Sequence, residues 1–97
     1  MRPIKKLEIV IDTPHLDEIL RLLDRAGVSG YTVVHDVTGR GERGERSGDD
    51  LTDVFTNCLV LAACSPETIE AAAEELRGVL RRHGGICLVS EAAWLAH

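Results

Sequence analysis

Thirteen residues between Thr38 and Asp50, TGRGERGERSGDD, hold four glycines, three arginines and four acids. Glycines let backbone N–H groups come close to an anion and adopt positive φ, and arginines offer forked donors that match phosphate oxygens. Gly39, Arg40, Gly41 and Arg43 therefore make a segment competent to hold a phosphate. The pattern is not the G-x-x-x-x-G-K-[ST] of a nucleotide-triphosphate loop. On composition alone the alternative is a solvated hairpin extension, its arginines balanced by Glu42, Glu45, Asp49 and Asp50. A loop of this length in so small a domain is more often functional or disordered than idle.

A second glycine signal, RRHGGI (Arg81 to Ile86), sits far away in sequence. It reads either as simple helix termination, with basic residues at the negative dipole end, or as a ligand loop. Other chemistry-bearing residues are scattered. His15, His35, His83 and His97 could each act as a base, but no spacing links any of them to a nucleophile. His15, in the first turn of a helix, reads as solvent-exposed, and His35 beside Asp36 as surface alternation. The acids of the glycine-arginine loop do not follow the D-x-[DN]-x-[DN]-G calcium pattern, so no metal site is expected. Cys58, Cys64 and Cys87 lack C-x-x-C spacing and read as buried free thiols.

The elements that must carry these residues follow from periodicity. KKLEIVID (Lys5 to Asp12) predicts a strand. Thr13 offers an N-cap and Pro14 a first helical residue. Leu16, Ile19, Leu20 and Leu23 form the apolar face of the helix, and Gly27 stops it. YTVVHDV (Tyr31 to Val37) and DVFTNCLVLAAC (Asp53 to Cys64) are two further strands on either side of the loop. Ser65, Pro66 and Glu67 open a second helix, with Ile69, Ala72, Ala73, Leu76, Val79 and Leu80 inward. Gly84 or Gly85 ends that helix, and ICLVS (Ile86 to Ser90) is a fourth strand. EAAWLAH is expected to pack as a tail anchored by Trp94. The order β-α-β, loop, β-α-β predicts an α+β protein: a ferredoxin-like βαββαβ sandwich, two helices on one face of an antiparallel sheet.

The whole chain of 97 residues, 44% apolar and with a formal charge of −5, makes a single domain at residues 1–97. Its acidity gives no general affinity for nucleic acid or an anionic membrane. No apolar run is long enough to span a bilayer, and no cleavage-site pattern follows the N-terminus, so a cytoplasmic protein is expected. The strand rich in apolar residues from Cys58 onward wants cover on both faces, which predicts association of several sheets.

GYTVVHDVTGRGERGERSG (Gly30 to Gly48) resembles the second strand and the start of the T-loop of the PII signalling superfamily. The likeness is greatest to its SbtB and carboxysome-associated PII (CPII) branch. HGGICLVSEAAW (His83 to Trp94) resembles the B-loop and last strand of the same branch, and the resemblance spans nearly the whole chain. It implies a homotrimer with an adenine nucleotide in each of three clefts between subunits, a T-loop at about 39–53 and a B-loop at about 82–86. By position, Gly39, Gly41, Arg43 and Arg46 match the phosphate-holding base of the T-loop, and Arg40 takes the basic position between the glycines. Gly30, Tyr31, Thr32 and Val33 match the strand bordering base and ribose, and His83, Gly84, Gly85 and Ile86 match the B-loop.

Departures from the family refine the ligand. PII proteins that sense 2-oxoglutarate carry a Gln after the T-loop arginine, where this chain has Gly44. Their B-loop lysine is Ile86 here, and AAWLAH lacks their C-terminal arginines. Fewer cations favour AMP, ADP or cyclic AMP over magnesium ATP. Residues 39–52 contain no tyrosine to be uridylylated. The cysteine-bearing extension of some SbtB proteins does not follow His97, so redox gating by such a tail is not expected. The branch is associated with inorganic-carbon handling. That implies bicarbonate as a second ligand, for which Arg43 and Arg46 are candidate donors, and a bicarbonate transporter or carboxysome component as partner. With a transporter, contact with the membrane would be peripheral.

Rival classes fare worse. An acylphosphatase-like enzyme wants its anion cradle after the first strand, where Asp12 would repel phosphate, and no catalytic residue is assigned. An RRM-type nucleic-acid module needs more sheet aromatics than Tyr31 and Phe55 and the opposite charge. A CutA-like trimer shares the topology but not the Gly-x-Arg loop.

Overall fold

The structure is a computed structural model, and it describes residues 1–39 and 56–95. Strand β1 (Arg2–Asp12) leads through a 3-10 turn (Thr13–His15) into helix α1 (Leu16–Ala26). Strands β2 (Tyr31–Val37) and β3 (Asn57–Cys64) follow, then helix α2 (Pro66–His83) and strand β4 (Ile86–Trp94). The four strands form one sheet in the order β2-β3-β1-β4, with every neighbouring pair antiparallel. This is the ferredoxin-like arrangement expected.

Alternation along β1 decides which face the helices cover. Leu7, Ile9 and Ile11 are wholly buried, as are Cys58 and Val60 of β3, while Lys6, Glu8 and Val10 point the other way. Ile19, Leu22 and Leu23 of α1 and Ala72, Leu76 and Val79 of α2 close the core over them. Leu22 joins the core beside Ile19 and Leu23, whereas Leu16 and Leu20 are only partly buried at its margin. The helix apolar face is thus rotated slightly from the one the spacing predicts. Gly27 ends α1 in the left-handed conformation, as expected of it.

Three element boundaries differ from the sequence reading, each for a local reason. Thr13 does not cap α1. Its hydroxyl donates to the Thr56 carbonyl at 2.9 Å, its N–H donates to the same oxygen at 2.8 Å, and α1 starts three residues later. Strand β1 begins at Arg2 rather than Lys5, and β4 runs to Trp94 rather than ending at Ser90. These two extensions pair with each other from Lys5↔Glu91 to Arg2↔Trp94, so EAAW is the end of an edge strand and not a packed tail. Lys5 and Glu91 also form an ion pair at 3.2 Å. Strand β3 is described from Asn57, and Asp53 to Phe55 lie outside the described residues.

The face of the sheet away from the helices is apolar. Register places Val10, Leu59 and Ile86 in one row, and Leu61 and Leu88 flank Glu8 in the next. Val34 lies opposite Leu59. Val34, Leu61, Ile86 and Leu88 are exposed in the single chain. That matches the expectation that β3 needs cover on both faces.

Candidate functional site

The C-terminal ends of β2 and β1 and the N-terminal ends of β3 and β4 all lie at one end of the sheet, because every pair is antiparallel. Gly39 follows β2 at that end, and the turn His83-Gly84-Gly85-Ile86 enters β4 at the same end. They stand on opposite edges, three inter-strand steps apart, which is about 14 Å at the usual strand spacing. Within one chain these two groups of expected ligand residues share an end but do not meet. Arg40, Gly41, Arg43 and Arg46 lie outside the described residues.

The glycine turn is built tightly onto β1. Gly84 caps α2 with φ 83° and its N–H donates to the Leu80 carbonyl at 2.8 Å. Gly85 has φ 105°, and a Cβ there would lie 2.5 Å from the Val10 carbonyl oxygen. Only glycine lets the chain pass β1 at that distance in that conformation. Ile86 then pairs with Val10 and leaves its side chain exposed.

Immediately upstream, the His83 ring stacks on His15, with centroids 3.6 Å apart and planes at 14°. His15 Nδ1–H donates to Asp12 Oδ1 at 2.7 Å, and Asp12 is buried. His83 Nε2–H donates to Glu18 Oε1 at 3.1 Å, and Arg82 donates to Glu18 Oε2 at 2.7 Å. The Arg82 guanidinium beside Glu18 holds its carboxyl below the usual carboxylate range, with His83 adding to the effect against a desolvation that opposes it. His15 is therefore not the solvent-facing residue the helix position suggests. Its ring partner arrives from the other helix.

At the β2 edge, Gly30 precedes the strand, Tyr31 and Thr32 are exposed, and Val33 is half-buried opposite Val60. The β2–β3 register shifts between Val34 and Val37, and Asp36 takes φ 61°, so the strand bulges just before the loop. His35, inside this bulge, brings Nδ1 to 3.6 Å from Cys58 Sγ. Of the three free thiols only Cys58 is buried. Cys64 and Cys87 are half-buried, because they sit at the margins of the helix layer, and burial pushes both thiols up. No group of three or more His, Cys, Asp or Glu among the described residues could hold a metal ion. A depression of about 340 Å³, lined by Arg2, Ser29, Cys64, Ser65, Thr68 and Trp94 among others, lies at the opposite end of the sheet and includes none of the expected ligand residues.

The sequence profile of the family described as Nitrogen regulatory protein P-II matches residues 4–95. The chain belongs to the P-II family. It is similar in structure to CPII, a nitrogen regulatory PII-like protein from Thiomonas intermedia K12, bound to ADP, AMP and bicarbonate. Identity is 31%, over 95% of this chain and 88% of that one, with a TM-score of 0.83. The same CPII bound to ADP and bicarbonate is 32% identical over the same shares, with a TM-score of 0.81. The fold also matches the GlnK–ATP complex of B. subtilis at 21% identity, 95% and 84% coverage and a TM-score of 0.67. No curated protein sequence matches the chain significantly. This P-II protein is a PII-like regulatory protein of the SbtB/CPII branch. Among its described residues no helix is long and apolar enough to cross a membrane.

The contacts that Asp12, His15 and Glu18 make beside His83 escaped the sequence reading. An Asp-x-x-His spacing with Glu18 one turn further on was the available signal. What it lacked was the partner, His83, contributed by the far end of α2.

Proposed function

We propose that this protein is a homotrimeric sensor of adenine nucleotides, with one nucleotide in each cleft between subunits. The observation that carries the reading is the placement of Gly39 and of His83 to Ile86 at one end of the sheet but on opposite edges. One chain holds two halves of a site, and neighbouring subunits complete both. The phosphate falls to Gly39, Arg40, Gly41, Arg43 and Arg46, with the Gly84-Gly85 turn beside it. Gly30, Tyr31, Thr32 and Val33 border the base and ribose, with His83 and Ile86 on the facing side. The likeness to CPII bound to ADP, AMP and bicarbonate supports this ligand class. Having Ile86 where a lysine would add charge favours AMP, ADP or cyclic AMP over ATP.

Bicarbonate is the second ligand, held beside the nucleotide by Arg43 and Arg46. The loop between Gly39 and Asp53 carries the state of both ligands to a cytoplasmic partner. A bicarbonate transporter or a carboxysome component is the partner class this implies. Calorimetric titration with AMP, ADP, ATP and cyclic AMP, each with and without bicarbonate, tests the reading. Micromolar binding of an adenine nucleotide that shifts on adding bicarbonate is expected. No binding of any of the four would overturn it and return the protein to the fold alone.

A further inference from the structure

The turn that enters β4 is gripped from behind by residues that the ligand reading does not use. Gly84 and Gly85 both have positive φ, and glycine has more backbone freedom to lose than any other residue. Such a turn stays ordered only if its flanks are fixed. On the downstream side, Ile86 is held in the ladder opposite Val10. On the upstream side, the fixing is done by side chains. One edge of the His83 ring is tied to Glu18 at 3.1 Å, and its face lies on His15 at 3.6 Å. The His15 ring is itself held to the buried carboxylate of Asp12 at 2.7 Å. Asp12 closes β1 and Glu18 opens α1, so the chain of contacts runs from the sheet and the first helix into the last residue of α2.

We propose that Asp12, His15 and Glu18 are positioning residues for the nucleotide site: they fix the His83 ring, and through it the backbone of Gly84 and Gly85. The inference rests on the reading of His83 to Ile86 as nucleotide contacts. Its energetic logic is preorganisation. A turn already ordered costs less to immobilise around a ligand, so affinity rises without a new contact to that ligand. The stack is what transmits the order. An aromatic ring at position 15 that keeps the face but loses the tie to Asp12 retains part of the effect.

Three proteins test this: the wild type, His15→Ala and His15→Phe. Each is titrated with ADP, and amide hydrogen exchange is followed at Gly84 and Gly85 in the absence of nucleotide. His15→Ala is expected to weaken ADP binding by about threefold to tenfold, the worth of one stacked ring pair. Exchange at the two glycine amides should rise by a similar factor, and His15→Phe, which keeps the stack but not the bond to Asp12, should recover part of both. A residue that merely stabilises the fold would lower the melting temperature without moving either readout, and that result overturns the proposal. Affinity in His15→Ala within about twofold of wild type also overturns it. If the wild type binds no adenine nucleotide, the ligand reading fails by itself. The exchange data then decide the positioning, and unchanged exchange in His15→Ala overturns it.

Discussion

Gly85 and Gly30 are both glycines flanking a strand, but only one is demanded by its surroundings. A side chain at Gly85 would meet the Val10 carbonyl at 2.5 Å and the methyls of Ile11 and Leu80 at 3.2 Å, at a φ of 105°. Nothing lies within 4 Å of the corresponding point on Gly30. Gly85→Ala should therefore cost about 1–3 kcal/mol of stability, the usual penalty for strain at a left-handed position, whereas Gly30→Ala should be near neutral. Denaturant midpoints of the two variants check this. The thiols make a second prediction at the same scale. Burial raises Cys64 and Cys87, so less thiolate is present at neutral pH than on an unhindered cysteine. Alkylation of both should be slow near pH 7 in the folded protein, quicken as pH climbs past the ordinary thiol range, and become fast on denaturation. Rapid labelling of the native protein at neutral pH would contradict the burial. The glycine pair was legible in sequence as a helix stop. The closeness of β1 was not, because Val10 is distant along the chain and register is a property of the sheet. His15 was misjudged for the same reason: nothing near it in sequence announces a ring from α2.

At the scale of elements, the bulge in β2 sets where the loop departs. Asp36 at φ 61° is a non-glycine residue in the left-handed region, which aspartate tolerates better than most. Asp36→Gly should be tolerated or slightly stabilising, and Asp36→Val should lose about 1–2 kcal/mol, since a β-branched residue is disfavoured there. Thermal unfolding of the pair settles the sign. Helix and strand types follow from periodicity throughout this chain, because Leu7, Ile9 and Ile11 alternate and Ile19, Leu22 and Leu23 recur at helical spacing. Ends are less legible. Whether β4 stops at Ser90 or runs to Trp94 depends on whether β1 offers an edge to Arg2, and no local signal in EAAW records that. The 3-10 turn at Thr13 likewise answers to Thr56, across the sheet.

At the scale of the molecule, the exposed patch of Leu61, Leu88, Val34 and Ile86, two adjacent rows on the uncovered sheet face, is what an association would bury. Leu88→Asp places a charge in that patch, and is expected to shift the proposed trimer to monomer in sedimentation velocity while the far-UV spectrum stays unchanged. A trimer-sized particle from this variant would move the interface elsewhere. The bare sheet face was legible from the unbroken apolar run of β3, whereas the site was legible only in its parts. Gly39 and the turn from His83 to Ile86 stand on opposite edges of the sheet, and under the proposed function that has a genetic consequence. In the trimeric site proposed above, a chain with Arg43→Ala and a chain with His83→Ala would be damaged in different halves, so neither would form a good cleft with its own kind. Co-refolded in equal amounts, they should rescue each other: in a closed ring about a quarter of the clefts pair one sound half with another. Two inactive alleles of such a protein would complement in the same cell, and a defective copy would spoil the clefts of its sound neighbours.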